Sequence, residues 1–289
     1  MHWQTTRHLI DLSQPRVMGI VNITPDSFSD GGCFATSTQA IQHCERLVAE
    51  GAHMLDIGGE SSRPGSPPVA LAQELNGVLP VLREAVALGV PISVDTYKPE
   101  VMRAALDLGV DIINDVWALR QPGAREAVAA HPGCGICLMH MHGQPQTMQR
   151  APMQGDAVTQ VLAFLTQQTQ RLNELGVALQ RIAWDPGIGF GKTVEQNFAL
   201  LARQDELLAG GHALLVGWSR KSSLGAITGE PVNQRLASSV AAAVLAVERG
   251  AHVVRVHDVK ETVAALKLRS AMLAQARTTT AMTTTGSNS

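Results

Sequence analysis

Three observations predict a single-domain α/β protein, a (β/α)8 TIM barrel. Eight short Val/Ile/Leu runs recur along the chain, segments with helical spacing separate them, and nearly every run ends on a polar residue able to hold a ligand. A strand buried on both faces reads as a continuous apolar run, which marks parallel strands rather than half-exposed ones. Polar groups following the carboxyl ends of so many strands suit a barrel mouth, whereas an open doubly wound sheet concentrates them at its switch point.

The predicted strands follow in order. Residues 17–20 run into Asn22, 54–55 into Asp56, 92–94 into Asp95, and 112–113 into Asn114 and Asp115. Residues 136–139 meet His140, 182–184 meet Asp185, 214–216 lead toward Ser219, Arg220 and Lys221, and 253–256 end at His257. Between them, residues 38–50 put Ile41, Cys44, Leu47 and Val48 on one helical face and stop at Gly51. Residues 99–108 open on Pro99 and close at Gly109, the asymmetry expected of helix ends. Segments 157–175 and 233–249, ended by Gly176 and Gly250, and a last segment 260–277 are also expected to be helices.

A chain of 289 residues suits one barrel, for which about 250 is typical. Residues 1–277 form that barrel, with 1–16 as an N-terminal capping segment, and the Thr/Ser-rich stretch 278–289 is expected to be disordered. Loops 22–37, 58–68 and 140–155 are long enough to cover a binding site. Charged residues make up only 17% of the chain, which leaves room for an oligomer contact. The net charge of −2, with no basic block, argues against a nucleic-acid partner. The longest apolar stretch, 240–247, falls short of the roughly 18 residues that suggest a membrane span. Residues 1–16 carry no apolar signal core, and four cysteines do not make a disulfide framework, so a cytoplasmic location is expected.

The motifs NITPDSFSDGG, GGESSRPG, ISVDTYKPEV, IINDV, CLMHM, DPGIGFGK, SRKS and RVHDVKETV occur in that order between about residues 9 and 273. Together they resemble dihydropteroate synthases, and eight in register with the predicted strands make the resemblance specific. It implies an Mg2+-assisted transferase that joins 4-aminobenzoate to 6-hydroxymethyl-7,8-dihydropterin pyrophosphate, giving 7,8-dihydropteroate and pyrophosphate. It also implies inhibition by sulfonamides, which mimic the aminobenzoate, and a homodimer. Under the resemblance Asp185 faces the donor-rich pterin edge, Asn114 assists, Asp95 lies near the reduced ring and Lys221 takes the ring carbonyl; with aromatic residues only 3% of the chain, stacking on the ring is expected to fall to the planar guanidinium of Arg255. Asn22, Arg63, Arg255 and His257 receive the diphosphate, with Asn22 the candidate Mg2+ ligand. Ser62, Arg63, Pro64, Phe28, Phe190, Lys221 and Ser222 line the aminobenzoate slot. Asp95, Lys221, Arg255 and His257 are the residues expected to act in a largely dissociative substitution.

The chain departs from the common family pattern at Ser62, Tyr97, Trp218 and Ser223, none of them a proposed catalytic group. Two motifs suggest other chemistry. PGIGFGKT at 186–193 looks like a phosphate-binding loop, but Pro186 stands where GxxxxGK[ST] needs its first glycine. Cys134, Cys137, His140 and His142 resemble a zinc set in composition, but alternation along a strand points Cys137 into or against the barrel. A pterin-dependent methyltransferase domain of the same barrel family is the nearest rival. Arg63, Lys221, Ser222, Arg255 and His257 serve pyrophosphate expulsion better than methyl transfer.

Overall fold

The computed structural model describes residues 1–23, 33–62 and 65–284. Eight parallel strands close into a barrel: β3 (Arg16–Asn22), β4 (Met54–Gly58), β5 (Ile92–Asp95), β6 (Ile112–Asp115), β7 (Gly135–Met139), β8 (Ile182–Asp185), β9 (Ala213–Val216) and β10 (Val253–Val256). They lie in sequence order, and β10 pairs with both β9 and β3 to complete the ring. Preceding them is an antiparallel hairpin of β1 (His2–Gln4) and β2 (Leu9–Asp11), with Trp3 opposite Ile10.

Around the barrel run α1 (Cys33–Ala49), α2 (Leu71–Ala85), α3 (Pro99–Asp107), α4 (Ala124–Ala130) and α5 (Ala157–Asn173). They are followed by α6 (Val194–Ala202), α7 (Gln204–Leu208), α8 (Ser222–Thr228), α9 (Leu236–Glu248) and α10 (Val259–Thr284). Local chemistry sets several of their ends. Pro99 opens α3, Asp156 accepts the Val158 N–H to cap α5, and Thr193 and Gln196 form a reciprocal capping box on α6.

Strand periodicity divides the barrel into two layers. In β4, Leu55 and Ile57 face outward into a core shared with Leu47 of α1 and with Val78, Val81 and Leu82 of α2. Met54, on the alternate face, joins Met18, Ile112, Cys137, Leu215 and Val253 inside the barrel. The hairpin closes this apolar floor: Trp3 is fully buried against it, and its indole N–H donates to the Arg181 carbonyl at 2.9 Å. One step further along each strand the interior turns polar.

Three boundaries differ from the sequence expectation. Helix α1 starts at Cys33 rather than near residue 38, so the loop after β3 is shorter. A short 3-10 turn, Val232–Gln234, takes the start expected of α9, which begins at Leu236. Helix α10 continues to Thr284, past the expected stop at Arg277, because the first glycine or proline after Val259 is Gly286. The remaining tail, 285–289, lies outside the described residues.

Removing the indole of Trp3 takes a large side chain out of the barrel floor. Trp3→Ala should cost about 3–5 kcal/mol of unfolding free energy, measured by chemical denaturation. A loss below about 1 kcal/mol, well under what such a truncation costs, would mean that the hairpin is not part of the core.

Candidate functional site

The polar layer centres on Arg255 of β10. Its Nε donates to Asp56 Oδ2 at 2.6 Å and its Nη2 to Asp95 Oδ2 at 2.9 Å, so one guanidinium spans carboxylates from β4 and β5. Asn114 of β6 donates its Nδ2 to the same Asp56 oxygen at 3.1 Å. Burial opposes the Arg255 charge, but Asp56 and Asp95 outweigh it and hold the pKa above the ordinary arginine value. Burial pushes the Asp95 carboxyl up and the charge of Asp56 pushes it further, against the pull of Arg255.

Across the mouth, Asp185 ends β8 and is only 6% exposed. Its Oδ1 accepts the Gly187 N–H at 2.7 Å. Burial raises its pKa, while that hydrogen bond and the charges of Lys221, Arg255 and Lys192 lower it. The Lys221 ammonium sits 4.2 Å from the centroid of the Phe190 ring. Burial moves its pKa down to about 8, opposed by Asp185. Lys221 is presented by a turn in which Arg220 adopts φ 60°, fixed by the Arg220 N–H on Ser239 Oγ at 2.9 Å and by the Arg220–Asp258 ion pair at 2.5 Å. At the rim, Ser219 Oγ and His257 Nδ1 lie 2.9 Å apart, and the His257 N–H donates to Ser219 Oγ at 3.2 Å.

A cavity of about 550 Å³ opens at this layer. It brings together Asp95, Asn114, Asp185, Lys221, Arg255 and His257. Asn22, Ser62, Phe190 and Ser222 also line it, alongside an apolar wall of Val116, Met139 and Met148. The expected roles of Phe28, Arg63 and Pro64 fall on positions outside the described residues.

Sequence reasoning missed Asp56. It marked a strand end but received no role, although it is fully buried and holds both Arg255 and Asn114. An acid inside a strand buried on both faces was the available signal that it has a partner, although nothing local shows which face it takes. The two misleading motifs are absorbed by structure. Cys134 faces Val128 and the guanidinium of Arg181, while Cys137 faces the barrel interior. His140 packs edge-on against Phe164 at 5.0 Å, and its imidazole pKa is pushed down to about 2 by burial. Among the described residues no group of three His, Cys, Asp or Glu could hold a metal ion. In the glycine-rich turn, Thr193 caps α6 and Lys192 is buried.

Fold and site together define a barrel enzyme whose mouth gathers carboxylates and an amide beside lysine, arginine and histidine, a donor set for a polar ligand. The family model described as pterin binding enzyme matches residues 18–257. The chain is 50% identical to dihydropteroate synthase of Neisseria meningitidis serogroup B over 276 residues, 93% of this chain and 97% of that protein. Its fold matches Burkholderia cenocepacia dihydropteroate synthase complexed with 7,8-dihydropteroate, with a TM-score of 0.88 at 50% identity, covering 96% and 98% of the two chains. It also matches the Yersinia pestis dihydropteroate synthase with a sulfonamide drug complex, with a TM-score of 0.89 at 45% identity, covering 95% and 100%. The chain belongs to the pterin binding enzyme family.

Neutralising Asp56 while keeping its shape tests the coupling around Arg255. In Asp56→Asn the repulsion on Asp95 disappears and Asp95 is left as the only carboxylate hydrogen-bonded to Arg255 among the described residues, so the Asp95 pKa should fall, read by carbon NMR of its carboxyl. In the free wild-type protein the raised Asp95 pKa adds stability that is present below the unfolded value near 3.8 and is lost as pH rises through the folded value. The variant should lose part of that dependence, and an unchanged Asp95 titration would contradict the coupling.

Proposed function

We infer that this protein catalyses the dihydropteroate synthase reaction of folate biosynthesis. The amine nitrogen of 4-aminobenzoate bonds to the exocyclic methylene carbon of 6-hydroxymethyl-7,8-dihydropterin pyrophosphate. The carbon–oxygen bond breaks, pyrophosphate leaves with the electron pair, and the amine gives up a proton. The observation that carries this reading is the convergence of Asp185, Asn114 and Asp95 with Lys221, Arg255 and His257 on one cavity. A sequence half identical to a dihydropteroate synthase solved with its product supports it.

Each group has a physical task. Asp185 and Asn114 match the N–H edge of the pyrimidine ring, and Lys221 donates to the opposite carbonyl side. As the carbon–oxygen bond lengthens, positive charge grows on the pterin and negative charge on the diphosphate. Asp95 answers the first, and Arg255 and His257 the second, in a largely dissociative substitution. A donor placed where charge develops lowers the barrier by roughly 3 kcal/mol. Arg255 serves both halves, with its planar face toward the ring and the N–H groups not held by Asp56 and Asp95 toward the leaving group, which a lysine point charge cannot reproduce. Phe190, Ser62 and Ser222 border the slot for the amine, which a sulfonamide would occupy in its place.

Mg2+ fits this donor set as a substrate-bound ion. Asn22 offers one exposed amide oxygen at the cavity edge, and Mg2+ commonly uses few protein ligands, with water and substrate phosphate filling the rest of its shell. Bound there, Mg2+ would supply charge neutralisation to the leaving diphosphate. A homodimer accords with the large exposed side chains of Leu245 on α9 and of Leu268 and Met272 on α10. Free, buried Cys44, Cys134 and Cys137 suit the reducing cytoplasm.

Purified protein given the pterin diphosphate, 4-aminobenzoate and Mg2+ should form dihydropteroate and pyrophosphate in equal amounts. Asp185→Ala should abolish both products. Arg255→Lys should lower kcat/KM by about 100-fold or more, followed by pyrophosphate release. Wild-type turnover in Arg255→Lys would remove Arg255 from the mechanism.

A further inference from the structure

The glycine-rich turn 186–192 contains a lysine that the reaction described above does not use. Lys192 is 3% exposed, and its ammonium donates to three carbonyl oxygens: Gly187 at 2.8 Å, and His140 and Phe190 at 3.2 Å each. Three donors meet three acceptors on two loops, one following β7 and one following β8. The same loops approach too closely for side chains at two positions. A Cβ on Gly187 would fall 1.9 Å from the His140 carbonyl oxygen, and one on Gly191 would fall 2.3 Å from that of His142, both at positive φ.

The cage surrounds the root of Asp185. The His140 N–H donates to the Asp185 carbonyl at 3.0 Å, the Gly187 N–H donates to its side chain, and the Phe190 N–H donates to the Gly187 carbonyl at 3.1 Å. Phe190 in turn carries the Lys221 ammonium on its ring. A neutral residue could fill this space without the desolvation cost of a buried charge, which is several kcal/mol. The charge therefore has a use, and its nearest charged partner in effect is the Asp185 carboxylate: burial raises the Asp185 pKa and lowers that of Lys192 to about 7, and each group opposes that shift in the other.

We propose that Lys192 is a positioning residue for pterin recognition, clamping the loops after β7 and β8 so that the Asp185 carboxylate is aimed into the cavity. The inference rests on the pterin role of Asp185 argued above. The other groups acting on Asp185 are the Gly187 N–H, Lys221 after β9, Arg255 on β10 and the Cys137 thiol on β7, and the Lys221, Arg255 and Cys137 side chains make no hydrogen bond to Lys192.

Lys192→Met keeps the chain length but removes charge and donors, and Lys192→Gln keeps an N–H donor without charge. In both, KM for the pterin diphosphate should rise tenfold or more while kcat at saturation falls less than threefold. The acid limb of kcat/KM should move to higher pH, because Asp185 loses a partner that favours its ionised form. A lowered Tm with wild-type pterin KM and acid limb would overturn the proposal and leave Lys192 a structural staple. If Lys192→Met does not fold, the same readouts on Lys192→Gln decide. A wild-type control that makes no dihydropteroate would instead sink the functional reading beneath the proposal.

Discussion

A single guanidinium stretched between two carboxylates organises the mouth of this barrel. Arg255 reaches Asp56 and Asp95 from the opposite end of the chain and joins β10 to β4 and β5 across the interior. Taking such charges out of water costs several kcal/mol per ion, so a hydrophobic trio would serve stability as well or better. The ionic arrangement makes sense as preorganisation. Cation and anions are already fixed where a reaction separates charge, and they need little reorientation when it does.

That arrangement is tolerable because the lower half of the barrel is apolar. Met18, Met54, Ile112, Cys137, Leu215 and Val253 fill the interior beneath the polar layer, and the Trp3 hairpin seals them from water. Outside the strands, a second apolar shell fixes the helices. The strands are therefore held by packing on both sides, and their carboxyl ends can carry groups that contribute little to stability. Function and stability occupy different levels of one barrel.

The loops add a second kind of order. After β8 the chain turns so tightly that Gly187 and Gly191 have no room for a side chain, and the ammonium of Lys192 links the turn to the loop after β7. After β9, Arg220 holds a left-handed conformation secured by Ser239 and Asp258, and this presents Lys221. Both turns exchange conformational ease for the placement of one charged side chain. Each lies beside the cavity.

Much of the barrel was legible in the chain alone because its signals are local. Apolar runs mark the strands, glycines stop several helices, and the polar residue after each run falls at the mouth whichever way the strand faces. The resemblance carried by eight motifs then assigned roles to most of the cavity residues. Other features had no local signature. A strand buried on both sides shows no alternation in hydropathy, so Met54-Leu55-Asp56-Ile57 does not reveal that Asp56 points inward. Asp56 and Arg255 stand 199 residues apart, and only closure of the ring makes them partners. Lys192 resembles a phosphate-loop lysine until three carbonyls from two loops surround it. Sequence determined which residues could form strands, turns and charged ends. Tertiary structure decided which of those charges meet, because burial and long-range pairing arise only when the sheet closes on itself.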